Sequence, residues 1–506
     1  MTQAAGDRSL PALFDAVLSE EPDLTSLAQD GETTSFGAWW ADSSRIAGGL
    51  ASRGVGPGDM LVLMLPSGHD FASAYLAALR LGSVVSAINP RLGPAEITHI
   101  LGKCQPRAVV TDTPGRLEPI AGPGTTVLTP ALARVSADRD VPGWADSVVA
   151  GTTGPAAVVW TTGSTGMPKG AWFDHGTLAF IGANLGPLSA RHDRKLMPVP
   201  FAHTAYVTRV YDQLLHRSAY ILTPPEWSAE SMRDILVGER ITLGQGVPTQ
   251  WEKLLMLPGI DDADLSHLRI VSTGAARVPA TLVHALRDRL GVPVVVRYAS
   301  TEVPVGFGTR VEDPVETVAN SVGRPLGGAE ISIRDSLGQP AEDGETGRVH
   351  IRSRARMRGY WRDPEQTRNT ISDDGWVASS DLGRLDADGN LVIVGRADDA
   401  YIRGGYNIYP SEVEACLSGH PGVARVAVVG TPAPVIGEIG VAFVVPAPGT
   451  RPGEKELKAW CRERIADYKT PDHVRIVDDL PVNATFKVDT GRLRQMAAQH
   501  ARSAAV

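Results

Sequence analysis

The segment from Trp160 to Gly170 combines residue types that bind phosphate. An apolar run over 156–160 leads into it and is typical of a buried strand. Glycines let the backbone turn tightly beside a ligand, and hydroxyls with backbone amides form a nest for an anion. The one lysine adds a positive charge. The sequence therefore predicts a phosphate-binding loop formed by Thr161, Thr162, Gly163, Ser164, Thr165, Gly166 and Lys169.

The spacing of this loop differs from that of a Walker P-loop. A Walker loop has Gly-Lys followed by Ser or Thr, whereas here Pro168 precedes Lys169 and Gly170 follows it. A surface loop rich in Gly and Ser, without a ligand, is the alternative interpretation. The loop alone does not decide between the two.

Strands and helices alternate around the loop. This alternation predicts a parallel sheet with crossover helices. The predicted strands are 59–66, 83–89, 107–111, 196–200, 219–223, 269–272 and 293–298, and the predicted helices are 71–81, 204–215, 228–237 and 281–290.

The pattern changes after about Gly323, where short strands predict a smaller and more antiparallel unit. From Asp399 onward the chain has the pattern of a compact α+β unit that is large enough to fold alone. We place the domain boundary near Asp398. The predicted fold is a large α/β N-terminal domain with mixed or parallel sheets, residues 1–397, and a small mobile α+β C-terminal domain, residues 399–506.

Composition narrows the class of protein. A chain of 506 residues with 43% hydrophobic and 21% charged residues is typical of a globular protein with two or more domains. The net charge of −8 argues against nucleic acid or an anionic membrane as the main partner. No apolar run is long enough to span a membrane, and no secretory signal is evident. The three distant cysteines favour reduced thiols and a cytoplasmic location.

Further motifs follow the loop in a fixed order: Tyr298 to Glu302, Gly323 to Pro325, Gly359 to Trp361, Ser379 to Gly383, Gly395 to Asp399, Gly404 to Glu414 and Leu480 to Lys487. Together with the loop they cover nearly the whole chain. In type and order they resemble the adenylate-forming (AMP-binding) superfamily, which includes acyl-CoA synthetases, peptide-synthetase adenylation domains and luciferases.

The resemblance implies a reaction in two halves. A carboxylate attacks the α-phosphorus of ATP and gives an acyl-adenylate and pyrophosphate. A thiol, usually that of coenzyme A, then attacks the acyl carbon. The implied protein is an AMP-forming acyl-CoA synthetase of fatty acid metabolism, with ATP, Mg²⁺ and coenzyme A as cofactors and a small carboxylic acid as substrate.

The resemblance also implies which residues hold the nucleotide. Asp381 would accept hydrogen bonds from the ribose hydroxyls, with Arg396 near the ribose or phosphate. Glu302 would bind Mg²⁺, with Thr161 as a second metal contact. A surface acid and a surface ion pair are the alternative interpretations. The remaining implied nucleotide contacts are Gly274, Ala275, Tyr298, Ala299, Ser300 and Thr301.

Three implied catalytic residues are Lys487, Glu302 and His203. Lys487 would bridge the attacking carboxylate and the α-phosphate, and His203 would line the acyl pocket. The family normally has glycine where Phe486 stands. Asp398 would be the hinge of a rotating C-terminal domain that presents Lys487 in one orientation. In the other it presents Gly404 and Gly405, whose lack of side chains lets pantetheine pass.

Two other functions remain open. An acyl-AMP ligase would transfer the acyl group to a carrier protein or to another acceptor with the same adenylation residues. A nucleotide-binding switch without turnover is the third hypothesis, and Phe486 beside Lys487 is its support. Arg209 is a candidate for recognising a second carboxylate on the acid.

Overall fold

The computed structural model describes residues 9–134, 143–145, 148, 154–161, 167–483 and 486–503. In chain order the strands are β1 (Thr25–Gln29), β2 (Glu32–Ser35), β3 (Met60–Met64), β4 (Val84–Ala87), β5 (Ala108–Thr111), β6 (Thr126–Leu128), β7 (Pro155–Thr161), β8 (Lys169–Asp174), β9 (Arg194–Met197), β10 (Ala219–Leu222), β11 (Leu243–Gly246), β12 (Ile270–Gly274), β13 (Val294–Tyr298), β14 (Phe307–Gly308), β15 (Arg324–Pro325), β16 (Glu330–Arg334), β17 (Gly347–Arg352), β18 (Gly359–Tyr360), β19 (Val377–Leu385), β20 (Leu391–Arg396), β21 (Tyr401–Arg403), β22 (Tyr406–Ile408), β23 (Val423–Ala433), β24 (Gly437–Pro446) and β25 (His473–Ile476).

The helices are numbered in the same way. They are α1 (Leu10–Glu20), α2 (Phe36–Ala51), α3 (His69–Arg80), α4 (Pro94–Cys104), α5 (Pro114–Leu117), α6 (Pro130–Ala133), α7 (His175–Ala183), α8 (Thr204–Val207), α9 (Val210–His216), α10 (Ala229–Gly238), α11 (Pro248–Leu255), α12 (Ala280–Leu290), α13 (Val315–Asn320), α14 (Pro364–Thr370), α15 (Pro410–Ser418), α16 (Glu454–Arg462) and α17 (Thr490–Ser503).

Two large mixed sheets form most of the N-terminal part. One has the order β15-β14-β13-β12-β11-β9-β10-β1-β2, and the other has the order β18-β8-β7-β4-β3-β5-β6. The inner strands are parallel, and antiparallel pairs occur at the edges, such as β7 with β8 and β13 with β14. Because apolar strands buried on both faces need helices on both sides, this topology follows from the predicted alternation. The predicted α/β class with mixed sheets is confirmed.

A third, antiparallel sheet follows in the order β16-β17-β19-β20. It confirms the smaller antiparallel unit predicted after Gly323. The sequence did not predict β19, although this strand contains one of the motif segments. β19 and β20 place Asp381 directly opposite Arg396.

The last sheet contains only strands that follow residue 400, in the order β22-β21-β24-β23, with β25 parallel to β24. Helices α15 and α17 contact β23, and α16 contacts α15 and β25. Its core includes Tyr401, Val428 and Leu457, all buried. This is the α+β unit predicted for the C-terminal part of the chain.

One predicted helix is wrong. The segment 204–215 forms two short helices, α8 and α9, separated by Thr208 and Arg209. Thr208 Oγ1 donates to the Thr204 carbonyl at 2.7 Å and ends α8, and Arg209 has φ −114° and ψ 3°, outside the helical region. Val207 and Thr208 are β-branched, which weakens a helix at this point. The break leaves Arg209 in a connection rather than on a helix face.

The largest apolar cluster joins the two mixed sheets. It includes Leu61 of β3 and Tyr220 of β10, and both are buried. Trp251 of α11 is fully buried in a second cluster. Among the described residues, no helix combines the length and apolar character needed to cross a membrane.

Candidate active site

The predicted phosphate loop connects β7 to β8. These strands pair antiparallel with Thr161 opposite Lys169, so the loop closes a hairpin. Thr161 Oγ1 donates to the Lys169 carbonyl over 3.4 Å. The other predicted phosphate contacts lie outside the described residues: Thr162, Gly163, Ser164, Thr165 and Gly166.

Lys169 is held beside this loop by uncharged groups. Its Nζ donates to Gln366 Oε1 at 2.8 Å and lies 5.6 Å from the centroid of the Tyr360 ring. An amide oxygen and an aromatic ring orient an ammonium without neutralising it. Lys169 is therefore suited to receive an anion such as a polyphosphate.

Glu302 is connected to β8, the strand that follows the loop, through a hydrogen bond from Tyr360 of β18. β18 pairs with β8, and this pairing positions Tyr360, whose hydroxyl donates to Glu302 Oε1 at 2.7 Å. Met357 N–H donates to the Glu302 carbonyl at 2.7 Å. Burial and the charge of Glu302 raise the pKa of Tyr360, so the phenol remains a proton donor. The carboxylate of Glu302 is thus fixed on the same side of the structure as Lys169.

The donor set at this position fits Mg²⁺. Mg²⁺ in nucleotide sites takes one or two carboxylates and completes its shell with phosphate oxygens and water. Within the described part of the chain, no group of three or more His, Cys, Asp or Glu residues could hold a metal by itself. Thr161 lies in β7, Glu302 accepts a hydrogen bond from Tyr360 of β18, and both strands pair with β8. Glu302 and the hydroxyl of Thr161 would hold the ion together with the nucleotide.

Asp381 lies at a corner between two sheets. Tyr298 at the end of β13 donates its hydroxyl to Asp381 Oδ2 at 2.5 Å. Burial raises the pKa of Asp381, while this hydrogen bond and the charge of Arg396 oppose the rise. One oxygen is therefore fixed by Tyr298, and the carboxylate keeps acceptor capacity for two neighbouring hydroxyls.

The ends of β12 and β13 lie side by side, with Gly274 opposite Arg297. A Cβ on Gly274 would come within 2.2 Å of the Arg297 carbonyl oxygen, so only glycine fits there. Ala275 has φ +61° and is exposed. The predicted nucleotide contacts Tyr298, Ala299, Ser300 and Thr301 follow at the same edge. The structure brings both predicted nucleotide segments to this edge.

His203 caps the first turn of α8. Its Nδ1 accepts from Ala205 N–H at 3.1 Å, so the ring proton of the neutral form lies on Nε2. Burial lowers the pKa of His203 to about 4, and the charges of Lys487 and Arg209 add to the effect. The ring is therefore neutral at pH 7 and can donate a hydrogen bond through Nε2.

Lys487 lies in a short turn that follows β25. Phe486 and Lys487 are held by Asn483, whose carbonyl accepts from Phe486 N–H at 3.0 Å and whose Oδ1 accepts from Lys487 N–H at 3.2 Å. Burial and the charge of Arg396 lower the pKa of Lys487, and Asp381 opposes this effect. The structure thus brings the Lys487 ammonium close to Asp381, Arg396 and His203.

The turn at Lys487 is attached to the N-terminal part by an aromatic contact. Phe486 has φ +60°, in the left-handed region that favours glycine, and its ring lies 5.2 Å from that of Trp227 at 57°. Arg277 Nη1 donates to the Ser411 carbonyl at 2.7 Å across the same interface. These contacts hold the C-terminal unit in the orientation that directs Lys487 toward Asp381 and Arg396.

A buried acid at this interface predicts a pH effect. Glu252 of α11 lies 3.2 Å from Arg425 Nε of the C-terminal unit. Burial raises the pKa of Glu252 from 4.5 to about 7, with Arg425 opposing the rise and Asp479 adding to it. Because burial raises the pKa, forming the interface takes up a proton. The contribution of Glu252 to stability is therefore fully present below its ordinary pKa of 4.5 and is lost as the pH rises through about 7.

Replacing Glu252 by glutamine removes this titration. Between pH 5.5 and 8 the Tm of the wild type should fall by roughly 2–5 °C more than that of Glu252→Gln, measured by thermal unfolding at fixed salt. Glu230→Gln, at an exposed position on the neighbouring α10, is the matched control and should follow the wild type. Parallel curves for wild type and Glu252→Gln would contradict the prediction.

Gly404 and Gly405 form the tight turn between β21 and β22. Both have positive φ, +58° and +88°, as a two-residue hairpin turn of this kind requires. Gly404 N–H donates to the Ile436 carbonyl at 2.8 Å, within the C-terminal unit. In this orientation the hairpin belongs to the C-terminal sheet rather than to the group around Lys487.

Asp398 lies in a single turn between β20 and β21, where the third sheet ends and the C-terminal sheet begins. Its Oδ2 is 3.7 Å from Arg396 Nη2. No strand pairing between described residues crosses this turn. The hinge role of Asp398 stays a prediction.

Comparison with known proteins agrees with this geometry. A family model described as "AMP-binding enzyme" matches residues 14–361, and one described as "AMP-binding enzyme C-terminal domain" matches residues 412–487. Feruloyl-CoA synthase from Amycolatopsis sp is 33% identical over 478 residues, which cover 94% of this chain and 96% of that protein.

Two solved structures are similar over nearly the whole chain. ATP-bound MatB from Rhodopseudomonas palustris has a TM-score of 0.86 at 27% identity and covers 97% of this chain and 99% of its own. The amide bond synthetase McbA from Marinactinospora thermotolerans has a TM-score of 0.84 at 27% identity, with 98% and 100% covered. The chain therefore belongs to the AMP-binding enzymes, as an adenylate-forming enzyme of the acyl-CoA synthetase type, and the predicted family is confirmed.

Some contacts at the site have no counterpart in the sequence prediction. Tyr360 and Gln366 hold Glu302 and Lys169, and Tyr298 orients Asp381 through its hydroxyl. The segment from Gly359 to Trp361 is one of the motifs that carry the family resemblance, but the sequence assigned no function to its residues. Only the antiparallel pairing of β18 with β8 reveals why a tyrosine there reaches Glu302.

Proposed function

We propose that this protein is an ATP-dependent acid–thiol ligase that converts a carboxylic acid to an acyl-adenylate and then to a coenzyme A thioester. The observation that carries the proposal is the position of Lys487 beside Asp381, Arg396 and His203. A lysine ammonium at this position is what adenylation of a carboxylate requires, because negative charge accumulates there in the transition state.

The residues present fit ATP and Mg²⁺. Lys169 and the hydroxyls of the loop would hold the β- and γ-phosphates, Asp381 would bind the ribose, and the turn at Gly274 would face the adenine. Glu302 and Thr161 would hold Mg²⁺. The bound ion supplies charge neutralisation on the phosphates.

In the first half-reaction a carboxylate oxygen bonds to the α-phosphorus, and the bond to the pyrophosphate oxygen breaks. Two like-charged groups approach each other in this step. The Lys487 ammonium would bridge them, and the Nε2–H of His203 would help orient the carboxylate. Neutral His203 is suited to this role because it donates a hydrogen bond without binding the carboxylate as a salt bridge.

In the second half-reaction the thiol gives up its proton to solvent, its sulfur bonds to the acyl carbon, and AMP leaves with the electrons of the C–O bond. Lys487 must leave the site to admit the thiol. Rotation of residues 399–506 about Asp398 would remove Lys487 and bring Gly404 and Gly405 to the entrance. The exposed hairpin turn leaves space for pantetheine, since a Cβ added to either glycine would have no other atom within 4 Å.

A different acceptor is the second candidate. The amide bond synthetase McbA is as similar in structure as the ligases, and its name denotes amide rather than thioester formation. An amine or the thiol of a carrier protein would use the same adenylation residues. A switch without turnover is less well supported, because Phe486 does not prevent Lys487 from coming close to Asp381 and Arg396.

We further propose a cytoplasmic location. The described cysteines are free thiols, with Cys104 and Cys461 buried. Reduced thiols are the usual state of cysteines in the cytosol.

A panel of acids tests the function. ATP–pyrophosphate exchange should appear with at least one class among aliphatic, aromatic and dicarboxylic acids, and added coenzyme A should convert the same acid to its thioester. Exchange without thioester, together with product formation when an amine or a carrier protein is added, would favour the second candidate. Absence of exchange with every acid, by protein that binds ATP, would favour the switch.

A further inference from the structure

Arg209 combines a fixed backbone with an unpartnered side chain. It lies between α8 and α9, where its N–H donates to the Tyr206 carbonyl at 2.9 Å and its own carbonyl accepts from Gln213 N–H at 3.0 Å. Its Nε is buried and has no hydrogen-bond partner among the described residues. A guanidinium is planar and always charged, so burial without an acceptor is costly unless a ligand supplies one.

The carboxylate that acts on Arg209, that of Asp212, is already engaged. Asp212 accepts from Lys195 Nζ at 2.6 Å, and its Oδ1 lies 3.0 Å from His216 Nδ1. Ser189 also donates to it. Asp212 therefore acts on both Lys195 and Arg209, and Asp193, which also acts on Lys195, is itself paired with Arg269 at 2.5 Å. The region keeps an uncompensated positive charge.

A second arginine increases that charge. Arg297 at the end of β13 donates Nη1 to the Thr309 carbonyl at 2.8 Å, while its Nε and Nη2 are buried without partners among the described residues. A Cβ on Gly308 would lie 1.8 Å from Arg297 Nη1, so the glycine gives the guanidinium its space. Burial and the charge of Arg209 lower the pKa of Arg297 to about 10, and no carboxylate contributes to that shift.

These charges lie on the acyl side of the proposed site. Arg209 follows His203 across the short helix α8. The Arg209 charge acts on both His203 and Arg297. The reacting carboxylate would lie at His203 and Lys487, and Arg209 would then face the other end of a short acid.

We propose that the acid substrate is a dicarboxylic acid whose second carboxylate is bound by Arg209. The neighbouring charge of Arg297 supplies further positive potential. This inference rests on the proposed function, because it names the substrate of the same site. A carboxylate would satisfy the unpartnered guanidinium in the fork geometry that arginine prefers.

The test compares each diacid with its own monomethyl ester. ATP–pyrophosphate exchange is measured with malonate, succinate, glutarate and adipate, and with the half-esters that keep the length and remove the second charge. The wild type should favour at least one diacid over its half-ester by about 10²-fold in kcat/KM, since the ester leaves a buried charge unpaired.

The variant Arg209→Met should lose this preference. Its kcat/KM for the diacid should fall by on the order of 10²-fold, mainly through KM, while that for the half-ester should stay or rise. Arg209→Lys keeps the charge but loses the planar fork of donors, so its kcat/KM for the diacid should lie between those of the wild type and Arg209→Met. Arg233→Met, on α10 with its guanidinium paired to Asp234, is the matched control and should behave as the wild type.

The outcomes separate the two proposals. No exchange with any acid, by protein that binds ATP and melts cooperatively, would count against the proposed function itself. Exchange that favours half-esters or simple monoacids in the wild type would overturn the dicarboxylate inference and leave the function standing. An equal loss for diacid and half-ester in Arg209→Met would also overturn it. If that variant does not fold, the wild-type ratio and Arg209→Lys decide.

Discussion

Alanine in place of Lys487 is expected to reduce ATP–pyrophosphate exchange by about 10²-fold or more. The ammonium lies beside Asp381 and Arg396 in an interior position, where its pKa is lowered by burial. A charge in such surroundings stabilises developing negative charge far better than the same charge in water. Alanine leaves the attacking carboxylate and the α-phosphate without their shared counter-ion.

The same variant should still convert a presynthesised acyl-adenylate to the coenzyme A thioester. The two half-reactions are measured separately, the first by exchange and the second by thioester release from added acyl-adenylate. Lys455→Ala, on the exposed side of α16 in the same unit, is the matched control and should retain both. A Lys487→Ala enzyme that loses both half-reactions equally would contradict the division of labour between the two orientations.

Replacing Glu302 by glutamine is expected to lower adenylation by on the order of 10²-fold and to raise the Mg²⁺ concentration needed for half-maximal exchange. Glutamine keeps the shape of the side chain and an acceptor for the Tyr360 hydroxyl, which now donates at 2.7 Å. It removes the negative charge that a divalent ion requires. The loss should therefore depend on Mg²⁺ concentration rather than on acid concentration.

Mg²⁺ titrations of exchange in the wild type, Glu302→Gln and Tyr360→Phe measure this effect. Tyr360→Phe should give a smaller shift in the same direction, because it leaves the carboxylate in place but unoriented. Glu345→Gln, at an exposed turn, is the control. A Glu302→Gln enzyme with reduced activity but an unchanged Mg²⁺ dependence would mean that Glu302 has a structural role.

The sequence was sufficient for features that depend on short runs of residues. The strand before the phosphate loop, the alternation of strands and helices and the α+β end of the chain follow from local apolar patterns. The candidate site residues came from a resemblance in motif order. The proximity of Lys487 to Asp381, more than a hundred positions earlier in the chain, was implied only by that resemblance.

Other features could not be predicted, because they depend on pairing between distant strands. Tyr360 reaches Glu302 only because β18 joins the edge of the sheet that contains the loop. The break at Arg209 opposes a continuous helical pattern, and a side-chain bond from Thr208 decides it. The charge around Arg297 depends on which acids are absent from its surroundings, and no local pattern contains that information.

The backbone at Phe486 has a consequence for the orientation of the C-terminal unit. A side chain at a left-handed position costs about 1–2 kcal/mol, and packing between Phe486 and Trp227 offsets about 0.5–1.5 kcal/mol of it. The ring contact exists only while the C-terminal unit faces the nucleotide, whereas the strained turn can travel with the unit. If the unit rotates as proposed, leaving the nucleotide would break the ring contact and keep the strain, so the orientation that presents Lys487 would be favoured by about 0.5–1.5 kcal/mol.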